Sequence, residues 1–265
     1  MSQHYQLEGR DYQILFLSLF LLCGIYGRDW SLAPWHVFTV LPSCLITQWL
    51  WAQGQPFNWK SPTITALSLT LLLRSHQWWV LVLASVLAIS SKFIFRYEGK
   101  HWFNPANFGI VLTLLLPNDA WVSPGQWGND LWLCLLFLGL GGIVLRQVGR
   151  WDTSCLFLLS YGSLLLLRNM YLGWSFDVFL HQMMSGSLLL FALFMITDPR
   201  SIPDSSGMRM LWASLIAVVA FILQFVGQQT DGIFYALFLV SPLTICLDRL
   251  QSAPRFQWHQ SAVLV

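Results

Sequence analysis

Charged side chains are scarce in this chain. Asp, Glu, Lys and Arg together make up 10% of the 265 residues, whereas a soluble domain averages about 25%. Hydrophobic residues account for 56%, and the mean hydropathy is +0.59. This balance excludes an ordinary soluble domain and predicts an integral membrane protein that contacts lipid. The net charge of +2 argues neither for nor against nucleic acid, but no basic cluster is long enough to suggest it, so nucleic acid is not an expected partner.

Cysteine pairs are also absent. The five cysteines stand singly in apolar runs, and no C-x-x-C pair occurs. An iron–sulfur cluster or a structural zinc ion held by this chain alone would need clustered thiolates, so no metal site is predicted. The cysteines are expected to be plain buried thiols.

Long apolar runs are the main structural signal, and they contain no Asp or Glu. An ion relay built on buried carboxylates in this chain alone is therefore not expected. The runs predict an all-α integral membrane fold of about ten transmembrane helices. A five-helix unit repeated in tandem must be inverted in the membrane, so we expect a single membrane domain over 1–265 with two inverted halves, about 10–128 and 129–250. The predicted segments are roughly 12–27, 34–53, 61–73, 77–95, 105–117, 131–145, 153–167, 178–196, 209–226 and 232–247.

The Lys and Arg residues give an orientation for these segments. With ten crossings, eleven of them fall on the side of both termini and three on the other side. Positive residues concentrate on the cytoplasmic side of membrane proteins, so both termini and their short tails are predicted to be cytoplasmic, in a bacterial inner membrane. The three on the opposite side are Arg28, Arg74 and Arg168.

The stretch Arg96–Leu116 contains the clearest local motif. Asn is a favoured helix N-cap and Pro a favoured first helical residue, so Asn104 and Pro105 should open a helix that meets Pro117 after about 13 residues. A full crossing needs about 20. A short, Pro-bounded segment of this kind predicts a broken helix near 104–117 at a binding site.

A second step of the same type, Thr197-Asp198-Pro199, precedes another apolar helix. Each helix start would expose free N–H groups and the positive end of the helix dipole, which can hold a phosphate, a carboxylate or an electron-rich ring. The alternative is that Asn104 and Asp198 only cap their helices while the nearby cations anchor lipid headgroups. The polar residues around the two starts are Lys100, His101, Asn104, Asn107, Thr197, Asp198, Arg200 and Ser201.

These motifs resemble those of a known family. FNPANFG at 103–109, MITDPRSIP at 195–203 and the ten segments are similar to the membrane proteins RnfD and NqrB. The resemblance covers roughly 60–250. The loop WVSPGQWG at 121–128 looks closest to a shorter branch called RnfD-like or UnbU, the latter for its occurrence beside enediyne biosynthesis genes. The resemblance implies an electron-transfer subunit of five-plus-five inverted architecture that binds flavin within a larger ion-translocating redox complex.

The same family carries FMN joined through its phosphate to a Thr in an S-G-A-T type motif, in the outer loop after the FNPA helix. This chain has no S-G-A-T, and Ser123 is the one hydroxyl side chain in 118–130. A non-covalent flavin, FMN or riboflavin, is therefore expected at the inner helix starts. Amide groups of Asn104 and Asn107 would bind a ring carbonyl, and Lys100 and Arg200 would oppose negative charge.

Two other hypotheses stay open. The chain could be a channel or transporter for a small solute, with the broken helix along the path. It could also be a flavin-free accessory membrane protein for export or resistance, as the gene neighbourhood of the UnbU branch suggests. Under the redox hypothesis it has no catalytic side chain of its own, and the other members of the complex are its partners.

Overall fold

The computed structural model describes residues 8–27, 34–53, 57–116, 119–122 and 131–258. Each of the ten predicted apolar segments overlaps one or more helices of the structure. Within these ranges the α-helices are α1 (Gly9–Gly27), α2 (Pro34–Trp51), α3 (Lys60–Leu72), α4 (Trp78–Ile94), α5 (Pro105–Leu115), α6 (Leu131–Val148), α7 (Trp151–Leu172), α8 (Phe176–Met183), α9 (Gly186–Leu190), α10 (Ser206–Phe221), α11 (Gly232–Val240) and α12 (Leu243–Leu250).

Two helices end in a wider, π-helical turn. Phe191–Met195 continues α9, and Ile222–Val226 continues α10. The strands are only two residues long and form two antiparallel pairs. They are β1 (Leu73–Arg74) with β4 (Trp121–Val122), and β2 (Arg96–Tyr97) with β3 (Lys100–His101).

Helix lengths limit how many crossings the structure supports. Among the described residues, three helices are long and apolar enough to cross a membrane, namely α6, α7 and the continuous Ser206–Val226. The bent pairs α8–α9 and α11–α12, with bends of 47° and 49°, raise the number to five if each is one span. The prediction of an all-α membrane protein is confirmed, whereas ten crossings and the inverted halves stay predictions.

The first half is built around α4 and α5. Helix α4 packs against α2 and α5, and α3 packs against α1 and α2. Gly109 allows the close approach of α5 to α4, because a Cβ atom there would lie 2.6 Å from the Ala84 carbonyl oxygen and 2.8 Å from the Ala88 Cβ. The glycine of FNPANFG is thus explained by packing.

The second half packs onto the first along α5. In that half α7 lies against α10, and α10 against α11, while α11 also contacts α5 and α6 contacts α1. Aromatic rings fill the junction: Phe103 stacks on Phe238 of α11 with ring centroids 5.0 Å apart, and Phe108 lies 5.8 Å from the same ring. Both Phe residues of the motif therefore join the two halves.

The cysteines are all free thiols. Cys44 is buried, but Cys155 and Cys246 are exposed, so the prediction of buried thiols is wrong for these two. Their side chains lie on outward faces of α7 and α12. Residue type alone does not say which face of an apolar helix a position occupies.

Candidate functional site

A two-residue turn places the residues just before α5. Glu98 and Gly99 have φ values of 47° and 86°, the left-handed pair that a tight hairpin between β2 and β3 requires. The hairpin sets His101 against the downstream motif, where its backbone N–H donates to the Arg200 carbonyl at 3.0 Å. The first motif therefore reaches the second through the main chain.

Asn104 caps α5 as predicted and also fastens it to the second half. Its Oδ1 accepts a hydrogen bond from the Asn107 N–H at 3.0 Å. Its Nδ2 donates to the Met195 carbonyl at 3.1 Å. Asn107 is fully buried, and its Nδ2 donates to the Phe234 carbonyl at 3.2 Å. Both amides are thus engaged in holding two remote helices to α5.

The prediction of a second helix start at Pro199 is wrong. Asp198 and Pro199 open a turn, in which Asp198 Oδ1 accepts from the Arg200 N–H at 3.2 Å and the Asp198 carbonyl accepts from the Ser201 N–H at 3.1 Å. Helix α10 begins only at Ser206. Pro203 accounts for the difference, because proline lacks an N–H and disfavours helical geometry in the residue before it.

The two motifs nevertheless lie on one open cleft, which we call the Asn104–Asp198 cleft. Three of the residues proposed from the sequence do not line it: Lys100 lines a neighbouring cavity, Asn107 is fully buried, and Ser123 lies outside the described residues. Of the residues proposed from the sequence, those that line it are Asn104, Pro105, Thr197, Asp198 and Arg200.

Lys100 differs most from its expected place. Its Nζ lies 2.5 Å from Asp248 Oδ2 and 3.1 Å from Asp204 Oδ2. Two carboxylates therefore balance its charge, and the side chain ties the hairpin to α12. The pairing partners lie more than a hundred residues along the chain, so no local pattern indicates them.

The polar residues of the TDPR turn also interact with other parts of the protein. Thr197 is buried and its hydroxyl donates to the Leu193 carbonyl at 2.9 Å. Loss of solvent raises the pKa of the Asp198 carboxyl, although the Arg200 N–H and the neighbouring cations oppose that effect. Arg200 is exposed and its Nη2 donates to the Gly99 carbonyl at 3.3 Å. Arg200 therefore stands at the mouth of the cleft.

Among the cleft residues missing from the predicted binding set, Lys92 and His101 have the most distinctive surroundings. Lys92, on the last turn of α4, is buried, with 4% of its surface exposed, and its Nζ donates to Ser61 Oγ at 3.2 Å. The sequence places His101 near the first motif but assigns it no role. A single lysine inside an apolar run is a functional signal by itself. The position of Lys92 within SSKF could therefore have identified it as a candidate site residue from the sequence.

His101 is held as a neutral ring. Burial, together with the positive charges of Arg200, Lys92 and Arg96, lowers the pKa of its imidazole to about 3. Its ring hydrogen-bonds to the Lys92 backbone, and its buried Nδ1 has no hydrogen-bond partner among the described residues. A neutral ring with a free Nδ1 is a hydrogen-bond acceptor.

The rest of the lining is mixed. Phe194, Val144 and Ile64 give it apolar walls. At its edge Arg10 lies 4.8 Å from the centre of the Trp258 ring and 2.7 Å from Glu8 Oε2. Across the part of the chain that the structure describes, no group of three His, Cys, Asp or Glu side chains is placed to hold a metal ion. The cleft thus combines a cationic donor and a neutral acceptor with apolar walls.

Comparison with known proteins gives one family. A match to the NQR2, RnfD, RnfE family covers residues 118–257, about half of the chain. Three relatives are each named as a subunit of an ion-translocating oxidoreductase complex. The Stutzerimonas stutzeri protein is 31% identical over 136 residues, which cover 51% of this chain and 38% of that protein.

The protein of Yersinia pseudotuberculosis is 30% identical over 173 residues, or 62% of this chain and 49% of that protein. The Alcanivorax borkumensis protein is 26% identical over 263 residues, or 76% of each chain. In the first two matches the chain spans half or less of the relatives' own length. The sequence similarity and the apolar helices together show that this chain is a membrane protein of the NQR2, RnfD, RnfE family.

Proposed function

We propose that the chain is a membrane electron-transfer subunit of an ion-translocating oxidoreductase complex, and that the Asn104–Asp198 cleft holds a flavin ring. The observation that carries this proposal is the meeting of the FNPA and TDP motifs on one cleft, although more than ninety residues separate them. The names of the relatives support a place beside other subunits, which would deliver and remove the electrons.

The groups in the cleft match the edge of a flavin ring. That edge carries an N–H with one carbonyl on each side, so a binding site must supply hydrogen-bond donors for the carbonyls and an acceptor for the N–H. Lys92 offers a cationic donor, and the Nδ1 of His101, which has no hydrogen-bond partner among the described residues, offers the acceptor. The apolar walls suit the ring faces. A flavin supplies redox chemistry that no side chain of this site can perform.

The attachment is proposed to be non-covalent. No S-G-A-T motif is present to accept a phosphodiester bond. FMN and riboflavin share the ring and differ in the phosphate, so either fits the same groups.

The protein's colour tests the function directly. Protein purified from cells that make flavins should absorb visible light as flavins do, and acid precipitation should release that absorbance into the supernatant. Absorbance that stays in the acid pellet would contradict the non-covalent attachment. Colourless protein that also fails to quench the fluorescence of added riboflavin and FMN would refute the proposal and favour a flavin-free accessory role.

We further propose that the cleft faces the cytoplasm of a bacterial inner membrane. Arg10, Lys92 and Arg200 all line it, and positive residues favour the cytoplasmic side. Large side chains such as Leu135 and Leu159, which are 60% and 65% exposed on α6 and α7, are placed to contact lipid or a partner protein. Reaction of single introduced cysteines with a membrane-impermeant reagent in intact cells would test the orientation.

A transporter is the second candidate, and one feature favours it. The bent pair α8–α9 borders a second cavity at the far end of α10, with Gln182, Gln224 and Asp231 in its lining. Discontinuous helices often form solute sites in transporters. Colourless protein that moves a solute across liposome membranes would favour this function over electron transfer.

A further inference from the structure

Lys92 is a buried cation that forms no ion pair with any carboxylate in the described part of the chain. It lies on α4 with 4% of its surface exposed, and no Asp or Glu of the described residues lies within ion-pair distance of its Nζ. Within the described ranges its Nζ donates one hydrogen bond, to Ser61 Oγ at 3.2 Å. An ammonium has three donors, so two of the three are unused by the described part of the protein.

The surroundings make this placement costly. Asp198 attracts the Lys92 ammonium, but Arg200 repels it, and the other group that interacts with it is the buried thiol of Cys44. Removing an ammonium from water without full pairing is strongly unfavourable. Methionine would fill the same space at no such cost. A fold that only needed packing at this position gains nothing from lysine.

Nearby cations show the contrast. Lys60 lies one turn before Ile64 on α3 and is paired with Asp11 at 2.8 Å and with Glu8 at 3.7 Å. Lys100 is paired with two aspartates. Among these three lysines, Lys92 alone lines the Asn104–Asp198 cleft. The unpaired charge therefore coincides with the cleft.

We propose that Lys92 is the main ligand-binding cation of the cleft and that it donates to a carbonyl of a planar ring whose adjacent N–H donates to His101. This inference rests on the proposed function and deepens it, since it assigns to Lys92 the charge-opposing role that the sequence suggested for Lys100. The required ligand class is a ring with an imide edge, such as riboflavin. A quinone has the carbonyl but lacks the N–H.

Two variants with matched chemistry test the assignment in purified, ligand-free protein reconstituted in nanodiscs. Lys92→Met should unfold at the same or a higher temperature than wild type, because a buried charge is removed. Its dissociation constant for riboflavin, measured by fluorescence quenching, should be about tenfold to a hundredfold larger than that of wild type, because a charge-assisted hydrogen bond is lost. Any riboflavin that it retains should have a lower reduction potential, since a positive charge favours the reduced ring.

Lys60→Met is the control and should show the opposite pattern. It breaks an ion pair with Asp11 outside the cleft lining, so it should lower the unfolding temperature and leave the riboflavin affinity unchanged. If Lys92→Met instead loses stability and binds riboflavin as wild type does, Lys92 is structural and the inference is overturned while the proposed function stands.

Two further results would also overturn the inference. Wild-type protein that binds no riboflavin and no FMN removes the proposed function and this assignment together. Binding of a soluble quinone analogue with riboflavin excluded refutes the imide-ring class. Weaker binding in Lys92→Arg than in wild type, but tighter than in Lys92→Met, supports the role of the charge.

Discussion

Asn104 should be a stability residue as much as a site residue, and its replacement is the sharpest test of the fold around the cleft. Asn104→Ala removes the cap on α5 and the bond from Nδ2 to the Met195 carbonyl. A lost N-cap costs about 0.5–2 kcal/mol, and a buried acceptor left unsatisfied costs about 1–3 kcal/mol. We expect Asn104→Ala to lower the free energy of unfolding by about 2–4 kcal/mol.

Asn104→Ser separates the two contributions. Serine is an equally good N-cap, but its side chain is too short to replace the amide that donates to Met195. About half of the loss should therefore remain. Asn58→Ala is the exposed control, since Asn58 Oδ1 also accepts a backbone N–H, from Lys60 at 3.1 Å, but lies in solvent. It should change stability by no more than about 0.5–1 kcal/mol.

The assay is unfolding of each variant by SDS in lipid–detergent micelles, followed by the fluorescence of the 15 tryptophans. Wild-type stability in Asn104→Ala, within about 0.5 kcal/mol, would refute the assignment of both bonds. Equal losses in Asn104→Ala and Asn104→Ser would show that the cap contributes nothing. Because Asn104→Ala is expected to unfold more easily, reduced flavin content in it would not by itself locate the ligand, which is why Lys92 is the better probe.

Gly109→Ala should destabilise the protein by about 1–3 kcal/mol, because the new methyl overlaps α4. Gly139→Ala, with no atom within 4 Å of the added Cβ, should be neutral. Equal effects of the two variants in thermal unfolding would contradict the packing of α5 on α4. Arg209→Met should cost about 3–5 kcal/mol, because it leaves Asp152, bound at 2.6 Å, buried without its partner; adding Asp152→Leu should restore most of the loss in the same assay. Neutral His101 stabilises the fold fully above about pH 6.5, and this stabilisation is lost as the pH falls toward 3. At pH 5 wild type should thus have lost about 2 kcal/mol more than His101→Gln relative to pH 8, and parallel pH profiles of the two proteins would exclude the buried neutral ring.

Several features can be predicted directly from the sequence. The helical segments follow from the length of the apolar runs, since backbone groups in an apolar environment must bond within their own helix. The cap at Asn104 follows from an Asn-Pro step and the N–H three residues on. These are short-range effects, so neighbouring residues are enough to predict them.

The cleft required the tertiary structure. The TDPR step becomes a turn because Pro203 follows. The Asp-Pro pattern alone predicts a helix start there, which is wrong, although Pro203 is visible in the sequence. The pairing of Lys100 with Asp204 and Asp248, and the unpaired burial of Lys92, depend on contacts between residues far apart in the chain. Charge balance is a property of three-dimensional neighbours, because electrostatic energy depends on distance and burial. The sequence therefore determined which segments are helical and where α5 begins, whereas only the packing of the two halves decided which motifs meet and which of the nearby lysines has no carboxylate partner among the described residues.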